Sequence, residues 1–294
     1  MRIGVDFGGT KIEVCALDGS GAMVLRRRLP TPPSYERAIH TVAELVRAAE
    51  AELGQTATVG IGIPGAISPV TGLVRNANTL YLNDRALDKD LSAALDREVR
   101  VENDANCFAL SEAVDGAAAG LPVVFGVILG TGCGGGIVVR QRVLPGKHHI
   151  AGEWGHTPLP WPTAADLPYK KCFCGNEGCL ESFISGPSLA EDFAGKGARD
   201  ASMIEARAHE GGAAAIAALA RHSDRVARGF SIIINILDPD AIVIGGGISN
   251  MAHLYRDVPK LLARHVIADR VSTAILKAKH GDSSGVRGAA WLWG

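Results

Sequence analysis

The sequence has no surplus of charge: 30 lysines and arginines face 31 aspartates and glutamates, a formal net charge of −1. Recognition of a phosphate backbone needs a basic face, so nucleic acid is not an expected partner. Long apolar runs are also missing. Stretches such as Ile232 to Ile236 and Ala241 to Ile244 fall far short of the roughly 20 residues of a membrane span, and the chain reads as soluble. Around Met1-Arg2-Ile3 there is no apolar leader, cleavage site or lipidation signal, so the expected location is the cytoplasm. The loop G-x-x-x-x-G-K-[ST] does not occur, which excludes the commonest nucleotide-binding turn. Two stretches match G-x-G-x-x-G, but neither opens a helix. Gly130-Thr131-Gly132-Cys133-Gly134-Gly135 leads into the strand-like Ile137-Val138-Val139. Gly60-Ile61-Gly62-Ile63-Pro64-Gly65 is stopped by Pro64 and by Ser68-Pro69. A dinucleotide fingerprint is thereby excluded, and the Gly60–Gly65 stretch reads as a place where backbone comes close to a ligand.

What is present is a chain of 294 residues, 47% apolar and 21% charged, long enough for two domains with real cores. Arg2 to Asp6 reads as a strand, Gly8-Gly9-Thr10 as its turn and Ile12 to Leu17 as its partner. Ala22 to Leu29 follows as a third strand, and Thr31-Pro32-Pro33-Ser34 caps a helix running to about Leu53. Strands at Val59 to Ile63 and Val99 to Val101 precede a helix over Ala105 to Ala113, capped by Asn103 or Asp104. The second half repeats this grammar. Val123 to Leu129 turns through Gly130–Gly135 into Gly136 to Arg140, and a long helix through Ala213 to Ile236 leads to a strand over Ala241 to Ile244. Gly245-Gly246-Gly247 then opens into the helix after Ser249. The repetition suggests a duplication with its boundary near Asp115 to Leu121, and Gly285 to Trp293 is helical enough to return to the first half. The expected division is residues 1–116 with 284–294 in a smaller domain and 117–283 in a larger one.

Three glycine turns expose backbone N–H groups suited to phosphate, each at the end of an apolar strand, so the two halves would present them to a shared cleft. Asp6-Phe7-Gly8-Gly9-Thr10-Lys11 adds a carboxylate, a hydroxyl and an amine; the plain alternative is an ordinary hairpin. The second turn is Gly130 to Gly135, and the third, Gly245 to Gly247, suits adenine or ribose or is simply a helix-entry turn. ATP is the natural occupant. At Glu102-Asn103-Asp104-Ala105-Asn106 a strand passes into a helix, where Asp104 can serve as a general base with Asn103 orienting the substrate, or both can be helix caps. Cys172-Phe-Cys174-Gly-Asn-Glu-Gly-Cys179 together with His156 supplies three thiolates and an imidazole, a set for tetrahedral zinc; buried free thiols are the alternative. Cys15, Cys107 and Cys133 are scattered, which reads as reduced thiols and not disulfides. Glu153 and Glu181 flank the zinc ligands.

From Asp6 to the C-terminus these residues resemble the ROK family of repressors, open reading frames and kinases. The resemblance implies an α/β fold of the actin-like ATPase (ribonuclease H-like) class, two α/β domains with a cleft between them. It implies that the Asp6–Lys11 turn (Asp6, Gly8, Gly9, Thr10, Lys11) and the second turn (Gly130, Thr131, Gly132, Cys133, Gly134) hold the phosphates of ATP, while Gly245, Gly246 and Gly247 face the adenosine. Asp104 would be the base, Asn103, Asp104, Glu153, His156, Glu181 and Gly65 would meet the sugar, and Asp6 would organise Mg2+. His156, Cys172, Cys174 and Cys179 would hold Zn2+, His156 serving both roles through its two ring nitrogens. A homodimer is the family expectation.

Gly152-Glu153-Trp154-Gly155-His156 with Pro158-Leu159-Pro160-Trp161, and Lys279 to Gly285, look most like bacterial fructokinases that also accept mannose. That implies ATP-dependent phosphorylation of the 6-hydroxyl of fructose. Glu102 to Ala113 is similar to N-acetylglucosamine kinases, which with glucokinases form the alternative. The family also holds sugar-responsive repressors, but with Asp6 in the first strand and no basic surplus a DNA-binding module is not expected. A sugar-binding protein without catalysis would be expected to lose the base or the phosphate turns, and both are intact.

Overall fold

A computed structural model describes all of residues 1–294. The first half opens with an antiparallel meander, β1 (Arg2–Phe7), β2 (Lys11–Leu17) and β3 (Met23–Pro30), followed by α1 (Tyr35–Leu53) and β4 (Thr58–Ile63). A small hairpin, β5 (Ala66–Ile67) and β6 (Val74–Arg75), then leads to α2 (Leu87–Leu95), β7 (Val99–Asn103) and α3 (Asp104–Val114). Strand order in this sheet is β3-β2-β1-β4-β7, with β4 parallel to β1 and β7 parallel to β4. The second half supplies β8 (Val123–Leu129), β9 (Cys133–Val139) and β10 (Arg142–Val143), then α4 (Glu181–Ile184), α5 (Gly186–Ala194), α6 (Ile204–His209) and α7 (Ala213–Leu237). It closes with β11 (Ala241–Gly245), α8 (His253–Arg256), α9 (Val258–Leu262), β12 (Ala274–Lys277) and α10 (Ser284–Trp291). Its sheet order is β10-β9-β8-β11-β12. Each sheet is thus a three-stranded antiparallel meander extended by two parallel strands, the repetition expected from the two glycine-tipped hairpins.

Two compact units result: Met1–Gly120, Gly136–Ala151 and Lys279–Gly294 in the first, Leu121–Gly135 and Gly152–Ala278 in the second. In the first, Ile3, Val5, Phe7, Ile12, Val14, Val59, Ile61 and Ile63 form a fully buried core with α1 and α2. The other face of the sheet receives α10, the return of the C-terminal segment to the first half. Gly4 and Gly60 make room for it: a Cβ at either would strike the backbone carbonyl of Val286 or Ala289. A Cβ at Gly62 would come 3.2 Å from the Cys107 sulfur of α3. The expectation that the Gly60–Gly65 stretch admits a ligand is corrected for these two glycines, whose space is taken by helices; Gly65 alone lies beyond the strand, at φ +90°.

Other differences are local. Ser34 occupies the N-cap of α1 but its side chain makes no capping bond. Its neighbour Thr31 bonds the glycine turn instead, the hydroxyl donating to the Gly8 carbonyl at 2.6 Å and the amide to the Thr10 carbonyl at 3.0 Å. β9 starts at Cys133, inside the stretch expected to be turn. Gly247–Asn250 is a 3-10 turn before α8. No helix is long and apolar enough to cross a membrane.

Candidate functional site

In the first unit, the turn between β1 and β2 is closed by the Gly8 amide donating to the Lys11 carbonyl at 3.0 Å. Asp6 lies at the end of β1, opposite Glu13 of β2. Burial, then the charge of Glu13, pushes the Asp6 carboxyl up to about 6. A carboxylate held short of solvent beside a like charge gains from a cation, so the donor set fits a hydrated magnesium bound to phosphate. Glu13 itself is wholly enclosed. It accepts from Arg26 Nε at 2.6 Å and from Arg28, and Lys11 Nζ stands 3.7 Å away.

Asn103 and Asp104 sit where β7 passes directly into α3. Asn103 is the N-cap: its Oδ1 accepts from the amides of Ala105 at 2.9 Å and Asn106 at 3.3 Å, and its Nδ2 donates to the Gly65 carbonyl at 3.0 Å. Between the two residues the sequence left open, the cap is therefore Asn103, which leaves it one side-chain N–H for a ligand. Asp104 opens the helix and accepts from the Ala105 amide at 2.8 Å. Gly136 of β9 packs so closely on this turn that a Cβ there would lie 2.8 Å from the Asn106 Cα. Gly65, Asn103 and Asp104 thus share one rigid corner of the first unit.

In the second unit the Gly130–Gly134 turn is tied to α4 and α5. Glu181, first residue of α4, accepts from the Cys133 amide at 2.9 Å, and the Gly186 amide donates to the Gly130 carbonyl at 2.8 Å. Trp154 Nε1 donates to the Gly134 carbonyl at 3.1 Å, while its ring packs between Phe125 and Phe230 at 6.1 and 5.7 Å. This fixes the short helix carrying Glu153 and His156 relative to the turn. Gly246, at φ +82°, lies against the Leu129 backbone, where a side chain has no room, while Gly247 faces open space. Thr131 and Gly245 complete the turns at the ends of β8 and β11.

His156, Cys172, Cys174 and Cys179 converge, their ligand atoms all within 4.8 Å of one another. Cys172 Sγ is 3.5 Å from His156 Nδ1 and Cys174 Sγ is 3.6 Å from Cys179 Sγ. A tetrahedral zinc with its usual bond lengths has S–N and S–S edges of about 3.6 and 3.8 Å, so the cluster fits the ion, whereas bonded sulfurs would be about 2 Å apart. Loop bonds set this spacing, with Cys172 N to Asn176 O at 2.8 Å and Gly178 N to Lys170 O at 3.0 Å. The Asn176 amide draws the Cys174 thiol below its usual range, whereas burial pushes Cys172 up and Cys179 up to about 12, so the charge of the metal itself would be what holds all three as thiolates. With Nδ1 facing the sulfurs, His156 Nε2 points elsewhere, 4.0 Å from Glu153. Behind the loop, burial pushes the Asp166 carboxyl up, but the Thr163 amide at 2.8 Å, then Arg225 Nε at 2.8 Å and Arg228 at 3.0 Å, donate to it and hold it down to about 2.

Two carboxylates escaped sequence reasoning. Glu13 was legible as a charge on an inward position of an otherwise apolar strand. Glu112, near the end of α3, is fully buried and accepts from the amides of Ala117 at 2.8 Å, Lys279 at 3.0 Å and His280 at 3.3 Å and from the Ser284 hydroxyl at 2.8 Å. Its role depends on a segment 167 residues away, which no local pattern reveals.

Residues 2–294 match the ROK family. The N-acetyl-D-glucosamine kinase of Yersinia enterocolitica is 40% identical over 299 residues, covering 99% of both chains. The enzyme of the same name from Haemophilus influenzae is 40% identical over 302 residues, covering 100% of this chain and 99% of its own. Among solved structures, the ROK hexokinase of Thermus thermophilus superposes with a TM-score of 0.86 at 30% identity, covering 99% of this chain and 97% of its own. The fold is therefore the expected actin-like ATPase class with two α/β domains. The fructokinase subtype finds no support among these relatives, and several residues of the segments that resemble it are engaged by the framework. Trp154 and Gly155 brace the Gly130–Gly134 turn, and the amides of Lys279 and His280 go to Glu112. Those residues make framework contacts.

Proposed function

We propose that this chain, which belongs to the ROK family and is a sugar kinase transferring phosphate from ATP, takes N-acetylglucosamine as its substrate and phosphorylates the 6-hydroxyl. The observation that carries the choice of sugar is the 40% identity, along essentially the whole chain, to kinases named for N-acetylglucosamine. The resemblance of Glu102 to Ala113 to the same enzymes agrees with it, and fructose becomes the alternative.

Phosphoryl transfer asks the protein to position two substrates, neutralise charge and receive one proton. Asp104 takes the proton of the sugar hydroxyl from a corner fixed by the Asn103 cap. Asn103, Glu153, His156, Glu181 and the Gly65 backbone contact sugar hydroxyls, with His156 offering Nε2. The Gly8–Lys11 and Gly130–Gly134 turns hold phosphates through backbone N–H groups, Lys11 adds positive charge, and Gly245–Gly247 lies along the adenosine. Asp6 would hold Mg2+, which supplies charge neutralisation at the phosphates. The Cys3His cluster would hold Zn2+ as a closed structural ion that fixes the His156 ring and the loop leading to Glu181. The cytoplasm remains the proposed location and a homodimer the proposed assembly.

A coupled assay with ATP and magnesium against N-acetylglucosamine, fructose, mannose and glucose tests the sugar. The expected kcat/KM for N-acetylglucosamine is at least about tenfold above the others, a threshold far below the roughly 10⁴- to 10⁵-fold by which a site built to hydrogen-bond a polar substituent can reject its absence. A larger value for fructose or mannose refutes the proposal.

A further inference from the structure

Beneath the glycine turn lies a hydroxyl with no partner. Thr79 is 8% exposed, and its Oγ1 is shut off from solvent without a hydrogen bond. It points at Gly9: a Cβ there would stand 3.1 Å from Thr79 Oγ1. Gly9 takes no part in the turn's backbone hydrogen bonds, which join Gly8 to Lys11 and Thr31 to Gly8 and Thr10. An unpaired buried hydroxyl and a peptide outside the bonding pattern therefore face each other at the tip of the turn.

The support of Thr79 is rigid. Asn83 clamps the backbone two residues before it, its Oδ1 accepting from the Ala77 amide and its Nδ2 donating to the Ala77 carbonyl, both at 2.9 Å. Gly65 packs on the other side of Ala77, where a Cβ would lie 2.8 Å from the Ala77 nitrogen. The Leu82 amide donates to the Thr79 carbonyl at 3.0 Å, which fixes the backbone of Thr79 itself. Backbone held this firmly cannot carry the hydroxyl out to solvent, whereas a two-glycine turn is the most deformable backbone nearby. Burying a hydroxyl without a partner is unfavourable, and a valine of the same shape avoids that cost. A second arrangement of the turn, in which the hydroxyl is bonded, accounts for a threonine here.

We propose that Thr79 is a positioning residue that latches the Gly8–Gly9 turn around bound phosphate. When the turn's amides swing onto the phosphates, the Gly9 peptide comes within bonding distance of Thr79 Oγ1, and the bond formed then holds the turn in its binding shape. Thr79 touches no substrate and acts only through Gly9. The inference rests on the reading that this turn holds the phosphates of ATP.

The test is Thr79→Val beside Thr79→Ser, with Thr10→Ala as an independent probe of the turn. Thr79→Val should match or exceed wild type in Tm, because an unpartnered polar atom is replaced by a methyl of equal size. It should raise KM for ATP about two- to tenfold, the worth of one hydrogen bond made only in the nucleotide-bound state. KM for the sugar should stay within about twofold, and Thr79→Ser should restore KM for ATP. A merely structural threonine would change Tm and leave the nucleotide and sugar constants alike. Thr79→Val with wild-type KM for ATP, while Thr10→Ala raises it, overturns the latch and leaves the turn's role standing. Unchanged KM for ATP in both variants overturns the turn's role and the latch together.

Discussion

Acid should loosen the second unit through two histidines before any carboxylate titrates to its cost. His222 on α7 and His253 on α8 are buried, at 1% and 0% exposure, with His222 Nδ1 2.8 Å from His253 Nε2. His222 Nε2 donates to the Ile184 carbonyl at 3.0 Å, so Nδ1 must accept, His253 Nε2 must donate, and His253 Nδ1 is left as a buried acceptor without a partner. The chain ends on the last residue of α4, whose first residue is Glu181. Burial lowers His222 to about 4 and His253 to about 3, against an ordinary value of 6.5. For His222 the bond to the Ile184 carbonyl and Asp192 oppose this while Arg225 adds to it; for His253 the neighbouring His222 and Arg256 add to it and Asp257 opposes. Between these limits the unfolded chain holds two protons that the folded chain refuses, so stability falls as pH falls below 6.5. At pH 5.5 each histidine costs between about 1 and 2 kcal/mol, about 3 kcal/mol together. Asp6 has the opposite sign: raised from 3.8 to about 6, it binds a proton in the folded state first and returns about 1 kcal/mol at the same pH. The expected net loss from pH 7.5 to 5.5 is about 2 kcal/mol. Urea denaturation followed by tryptophan fluorescence, in wild type and His222→Gln/His253→Phe, measures it. The double variant should be less stable at pH 7.5, yet its loss between pH 7.5 and 5.5 should be smaller by nearly 3 kcal/mol. Protonation of the zinc ligands affects both proteins and cancels in the difference. Equal pH dependence in the two proteins would refute the assignment of these tautomers and charges.

Asp104→Asn should keep the fold and the sugar affinity while kcat falls about 10²- to 10⁴-fold, the usual contribution of a positioned base; steady-state kinetics with a direct sugar-binding measurement decide it, and an active variant returns Asp104 to the role of first helical residue. Cys174→Ser should release zinc, lower Tm, and raise KM for the sugar far more than KM for ATP, because His156 and Glu181 take their positions from the same loop. Elemental analysis beside both kinetic constants checks this, and less than about half an equivalent of zinc in wild type, or unchanged sugar kinetics in a zinc-free variant, counts against it.

Local chemistry made much of this protein legible in one dimension. Glycine turns after apolar strands, a Cys3His set on a curling loop, and a polar cluster where strand becomes helix all depend on neighbours in sequence. The repeated hairpin grammar likewise foretold two halves of similar build, because periodicity and turn residues act within a few positions. Tertiary structure alone decided which residues serve the framework. Gly60 and Gly62 face helices and not a ligand, and the amides of Lys279 and His280 belong to Glu112. Glu13 meets two arginines on β3, Thr79 stands under Gly9, and His222 pairs with His253 across 31 residues. The physical reason is common to all of these: a glycine, a buried charge or an imidazole is defined by what occupies the space beside it. That occupant comes from a distant part of the chain, and only the folded packing brings it there.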